Sequence, residues 1–119
     1  MKEVRFIDLF CGMGGFRLGF EAAAKEIGVK PICVFSSEIK PYARSVYQSN
    51  FPDEKIAGDI TKIPSQNIPD FDILLAGFPC QAFSNAGKRK GFLDTRGTLF
   101  FEIERILNEK RPEAFILEN

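Results

Sequence analysis

Residues 4–35 read VRFIDLFCGMGGFRLGFEAAAKEIGVKPICVF, and this order of apolar run, glycine turn, helical pattern and second apolar run decides the fold. Residues 4–10 are too short an apolar run for a helix and suit a buried strand. Phe16, Phe20, Ala23, Ala24 and Ile27 then recur at three- and four-residue spacing, which predicts a helix with these residues on its inner face. Gly28 stands where a helix C-terminal glycine belongs. Residues 31–35 predict the second strand, with Glu38 just beyond it, and Pro41 opens a further helix whose inner face takes Ala43, Val46 and Tyr47.

The alternation continues. Residues 55–58 predict a short third strand and residues 71–76 a buried fourth, carrying Ile73, Leu74, Leu75 and Ala76 in succession. A polar loop covers residues 79–95. A helix with Leu99, Ile103, Ile106 and Leu107 on one face runs to Pro112, and residues 114–117 predict a fifth strand. Strand alternating with helix implies an α/β fold, a Rossmann-like doubly wound parallel sheet. Ligands in such sheets sit at the C-terminal strand ends, where residues 10–15, Glu38, Asp59, residues 79–81 and residues 118–119 fall. These positions predict one site assembled from five strand ends.

Composition narrows the functional classes. The 119 residues are 45% hydrophobic and 27% charged, the balance of a single globular domain. Sixteen basic residues offset sixteen acidic ones, so attraction to nucleic acid must be local or shared with another domain or chain. Cys11, Cys33 and Cys80 form no CxxC pair and the chain has no histidine, which argues against an ordinary zinc site. Asp8 breaks the first apolar stretch, so no signal-peptide core is expected. No apolar run approaches the roughly 20 residues needed to span a bilayer. A cytoplasmic protein with reduced thiols, binding neither metal nor membrane, is expected.

Each motif has a plain and a chemical reading. Residues 8–15, DLFCGMGG, make a glycine-rich turn that can bring backbone close to a ligand, or simply turn. Arg17 stands where a dinucleotide fingerprint needs its third glycine. Glu38, roughly twenty residues on, is placed for ribose hydroxyls. With no basic residue in the turn, an adenosine ligand without phosphates fits at least as well as a dinucleotide. Asp59 either contacts a ligand or caps the turn that follows. Cys80 sits between Pro79 and Gln81 at a strand end, with Ser84 and Asn85 nearby, and is the candidate nucleophile. Cys11 and Cys33 read as inert core thiols. Lys88, Arg89 and Lys90 between glycines form a solvated loop or a phosphate grip. Glu118 could face Cys80 as a general acid or hydrogen-bonding group.

Taken in order, DLFCGMGG, an acidic strand end, GDI, GFPCQAFS, DTRGTLFF and LEN resemble the cytosine-5 DNA methyltransferases over nearly the whole chain. The resemblance implies S-adenosylmethionine as cofactor and duplex DNA as substrate, in a bacterial restriction–modification setting. It implies that Phe10, Gly12, Met13, Gly14, Gly15, Glu38, Ile39, Asp59, Ile60, Pro79 and Leu99 hold the cofactor. Phe10 would lie against the adenine, Glu38 would take the ribose hydroxyls, and Asp59 with Ile60 would take the adenine edge. Cys80 would attack C6 of a cytosine flipped from the duplex, with Glu118 on N3 and the amino group. Gln81, Ser84, Lys88, Arg89, Lys90 and Arg96 would face DNA.

Two departures stand out. Ile39 occupies a position where many members carry an aromatic residue. The sequence stops inside the family's glutamate–asparagine motif, so the later arginine motif, the target-recognition region and the C-terminal helix are expected to be absent. Residues 1–119 would then be the N-terminal part of the catalytic domain, inactive alone, either a truncated piece or one subunit beside a complementary C-terminal chain. The competing readings are an inactive S-adenosylmethionine-binding module acting through a partner, and a Rossmann-type dehydrogenase.

Overall fold

The computed structural model describes residues 2–77 and 95–118, the side chains of 95–98 excepted. Strands β1 (Glu3–Leu9), β2 (Lys30–Ser37), β3 (Ile56–Ala57), β4 (Ile73–Gly77) and β5 (Ala114–Glu118) form one sheet. Among the described residues, helices α1 (Gly15–Glu26), α2 (Pro41–Asn50) and α3 (Thr95–Lys110) connect them, with single-turn 3-10 helices at Ile60–Lys62 and Ser65–Asn67. The strand order is β3-β2-β1-β4-β5 and every pairing is parallel. The chain winds outwards from β1 to β3, crosses back to β4 and winds outwards again, which is the doubly wound topology the alternation predicts.

Side chains alternate across the pleat, so β1 supplies both layers. Ile7 and Leu9 join Leu74, Ala76, Ile103 and Ile106 in the core beneath α3. Phe6 and Asp8 face the opposite layer, where Phe6 packs on Phe20 of α1 with ring centroids 4.9 Å apart. Between Phe6 and Ile7 the β1–β2 register slips, pairing Phe6 with Cys33 and Ile7 with Phe35. The extra residue is Val34, and Val34 and Phe35 both pack on the α3 core. The bulge also lets Cys33 and Ser36 meet on the α1–α2 side, Sγ to Oγ at 3.3 Å, although three residues would separate them onto opposite faces of a regular strand.

Local signals place the helix ends. After α1 the Gly28 and Val29 N–H groups donate to the Lys25 and Ala24 carbonyls, and Gly28 sits at φ +79°, a Schellman stop that favours glycine. Pro41 begins α2 as expected. The inner face of α1 differs from the expected one: Ala23 and Ile27 are exposed and Arg17 is buried. Arg17 Nε donates to Glu21 at 2.9 Å, Nη1 to the Tyr47 hydroxyl at 3.1 Å, and Nη2 pairs with Glu54 at 3.0 Å. Its guanidinium lies 3.9 Å from the Phe51 ring centroid. A guanidinium so fully partnered can replace an apolar residue in a core.

Candidate functional site

At the C-terminal ends of β1, β2 and β3, the chain leaves the sheet in three loops that face one another. Phe10, Ser37, Glu38, Ile39, Gly58, Asp59, Ile60, Thr61 and, from α3, Leu99 line a cleft of about 180 Å³. Its floor and walls are mostly apolar, and its charged lining is two carboxylates with no cation among the described residues. Carboxylates accept hydrogen bonds from hydroxyl and amino groups and repel phosphate. The cleft therefore suits a neutral or cationic nucleoside better than a nucleotide.

Glu38 is held on every side. Its N–H donates to the Ala57 carbonyl at 2.9 Å, while Oε1 accepts from the Gly12 N–H and Oε2 from the Lys40 N–H, both at 2.9 Å. Its carbonyl accepts from Arg44 Nη1 at 2.9 Å. Each carboxylate oxygen keeps a second lone-pair direction for a ligand hydroxyl. Asp59 plays the capping part: Oδ1 accepts from the Thr61 hydroxyl at 2.7 Å and from the Thr61 N–H at 3.0 Å. The Thr61 hydroxyl, then the backbone N–H, hold its carboxyl below the usual range. Its Oδ2 carries neither bond, so capping and ligand contact are compatible.

The glycine turn divides its work between fold and site. Phe10 at φ +53° and Gly12 at φ +55° carry the chain round beyond β1, and the Cys11 N–H donates to the Ser37 carbonyl at 3.0 Å. Gly14, at φ +101°, faces α2: a Cβ there would come within 2.6 Å of Phe51 Cε2. A Cβ on Gly12 or Gly15 would meet nothing within 4 Å. Met13 is exposed, and its carbonyl accepts from Asn50 Nδ2 at 3.0 Å.

The remaining expected site residues divide by position. Phe10, Glu38, Ile39, Asp59, Ile60 and Leu99 meet in the cleft. Glu118 ends β5, outside the cleft lining, with its carboxylate over Gly77, where a Cβ would lie 3.4 Å from Oε2. Gly77 ends β4, three residues before Cys80 in sequence. Pro79, Cys80, Gln81, Ser84, Lys88, Arg89 and Lys90 lie outside the described residues, as does the Arg96 side chain. Cys11 is buried, and burial raises its thiol well above the usual range. Burial also raises Cys33. Ser37, Gly58 and Thr61 line the cleft without having been named as site residues; only adjacency to Glu38, Asp59 and Ile60 could have marked them.

The profile of the C-5 cytosine-specific DNA methylases matches residues 4–119. The chain belongs to that family. Among its curated relatives, Type II methyltransferase M.NlaIV of Neisseria lactamica is 64% identical across all of this chain and 28% of its own length. Type II methyltransferase M.HhaI of Haemophilus parahaemolyticus is 56% identical, across all of this chain and 34% of its own length. The chain thus spans about a third of the length of the curated relatives it matches. In fold it is similar to the S. pombe Dnmt2 methyltransferase, with a TM-score of 0.69 at 24% identity, over 96% of this chain and 35% of that one.

Proposed function

We propose that this chain binds S-adenosylmethionine and performs the chemical steps of cytosine-5 methylation of DNA, with sequence choice made by other parts of the protein or by a partner chain. The family match over residues 4–119 carries the reading. The cleft supports it: two carboxylates, apolar walls and, among the described residues, no lining cation fit an adenosine joined to a cationic sulfonium. Glu38 would take the ribose hydroxyls on its remaining lone pairs, Phe10 and Ile39 would flank the adenine, and Asp59 and Ile60 would meet its edge. The space beside Gly12 and Gly15 would admit the rest of the molecule. When bound, S-adenosylmethionine supplies an electrophilic methyl group.

The proposed chemistry uses a cytosine turned out of the duplex. The Cys80 thiolate forms a bond to C6, and the electrons of the C5–C6 double bond move towards C5 and the ring N3, where Glu118 gives a hydrogen bond or proton. C5 would then take the methyl group as its bond to sulfur breaks and S-adenosylhomocysteine leaves, and any proton given to N3 would return to Glu118. Water then removes the C5 proton, the C6–S bond breaks, and the thiolate leaves as the ring recovers its aromaticity. Gln81, Ser84, Lys88, Arg89, Lys90 and Arg96 would hold the DNA strand around the flipped base.

The test is methyl transfer to varied duplexes by the intact protein, with Cys80→Ala and Cys33→Ala beside it. Loss of transfer with Cys80→Ala, and only lower stability with Cys33→Ala, is expected. Substantial methylation by the Cys80→Ala protein would reject the nucleophile. Preference for a nicotinamide cofactor over S-adenosylmethionine would reject the reaction class.

A further inference from the structure

We propose that Arg44 is a positioning residue for the cofactor cleft, acting through Glu38; this rests on the reading that Glu38 receives the ribose. Arg44 lies in the first turn of α2, half-buried. Its Nη1 donates to the Glu38 carbonyl at 2.9 Å and to the Ile39 carbonyl at 3.1 Å. The same nitrogen is 3.6 Å from where a Cβ on Gly58 would stand. One guanidinium thus grips the loop leaving β2 and lies beside the loop leaving β3, the two walls between which Glu38, Ile39, Gly58 and Asp59 line the cleft.

The grip matters because of what else holds Glu38. Its N–H and both carboxylate oxygens are bonded to backbone groups of Ala57, Gly12 and Lys40. Those bonds orient the carboxylate only if the Glu38 peptide itself stays in place. Arg44 supplies the side-chain bond to that peptide, and a charge-assisted one. Without it the Glu38–Ile39 segment can rotate, and the carboxylate would lose alignment with the ribose rather than lose its charge. Both carbonyls are met by one nitrogen, so a lysine ammonium with its three donors could serve them if it reached, and its shorter stem restores the grip only in part.

The experiment titrates the intact protein with S-adenosylhomocysteine, an unreactive cofactor product. The variants are Arg44→Met, which keeps the apolar stem, Arg44→Lys, Glu38→Gln and the double variant Arg44→Met with Glu38→Gln. Arg44→Met should weaken binding about tenfold, with Arg44→Lys between it and the parent. In the Glu38→Gln background the same change should cost less than about twofold, because the group it positions has gone. The unliganded melting temperature of Arg44→Met should stay close to the parent's. Equal losses in both backgrounds would make Arg44 a general structural support and overturn the inference. Unchanged binding by Arg44→Met, with Glu38→Gln weakened, would overturn it while leaving the cofactor reading intact. Unchanged binding by Glu38→Gln would remove the ribose role of Glu38 and the inference together.

Discussion

Asp8 lies on β1 wholly out of water, with Oδ2 accepting from the Tyr47 hydroxyl at 3.0 Å and Oδ1 without a hydrogen-bond partner. Burial raises its carboxyl to about 7, against the opposing pull of Tyr47 and Arg17. Because the folded protein holds this proton more tightly than the unfolded chain, stability falls as pH rises from about 4 through about 7. The full penalty is about 4 kcal/mol, taking roughly 1.4 kcal/mol per pH unit between the ordinary 3.8 and about 7. Asp8→Asn keeps an acceptor for Tyr47 and should flatten the fall in melting temperature between about pH 4 and about pH 7; parallel profiles would contradict this account. Glu38→Ala should weaken S-adenosylmethionine binding by about 1.5–3 kcal/mol, or roughly one to two powers of ten. Calorimetric titration of folded protein checks it, and an unchanged dissociation constant would reject the ribose role. Glu38 could be noticed in sequence because it follows a strand. The hold on it by Gly12, Lys40 and Arg44 could not, since those bonds exist only once three loops meet.

At the scale of elements, α2 does more than cover the sheet. Arg44 grips the exit of β2, Tyr47 joins Asp8 and Ser36, Gln48 Nε2 donates to the Phe51, Pro52 and Glu54 carbonyls, and Asn50 holds Met13. Against this helix Gly14 has no room for a Cβ. Gly14→Ala should therefore destabilise the fold by about 2–4 kcal/mol, from backbone strain and overpacking combined. Gly15→Ala, which meets no atom, should leave the urea midpoint nearly unchanged and act on cofactor affinity instead. Equal midpoints for the two variants would contradict this division of the turn. The elements themselves were legible because their boundaries carry local chemistry, Gly28 after α1 and Pro41 before α2. The inner face of α1 was not: spacing counts Ala23 and Ile27 as apolar, whereas the burial of Arg17 depends on Glu21, Glu54 and Phe51, two of them far along the chain.

Across the whole molecule, β5 is paired on one side only among the described residues, with Phe115 54% and Ile116 45% exposed on its two faces. A parallel sheet is normally covered at such a place. Residues 1–119 prepared alone should self-associate, and Phe115→Lys should reduce that association in sedimentation velocity; a strictly monomeric parent would show that this edge is tolerated. Zero formal charge adds that DNA binding by these residues should be weak, salt-sensitive and local. The parallel, doubly wound sheet of five strands followed from the alternation, whereas the single site expected from five strand ends did not: among the described residues the cleft takes the ends of β1, β2 and β3 with Leu99, and Glu118 stands apart by Gly77. The central claim is that Cys80 attacks a cytosine held beside the cofactor. Its most direct test is incubation of the intact protein with S-adenosylmethionine and duplexes carrying 5-fluorocytosine at the target, followed by peptide mass spectrometry. A covalent DNA–protein adduct mapped to Cys80, absent from Cys80→Ala, is predicted, because fluorine at C5 blocks the proton loss that would release the thiol. Methylation of ordinary cytosine at C5 without any such adduct, or an adduct at Cys11 or Cys33, would contradict the account.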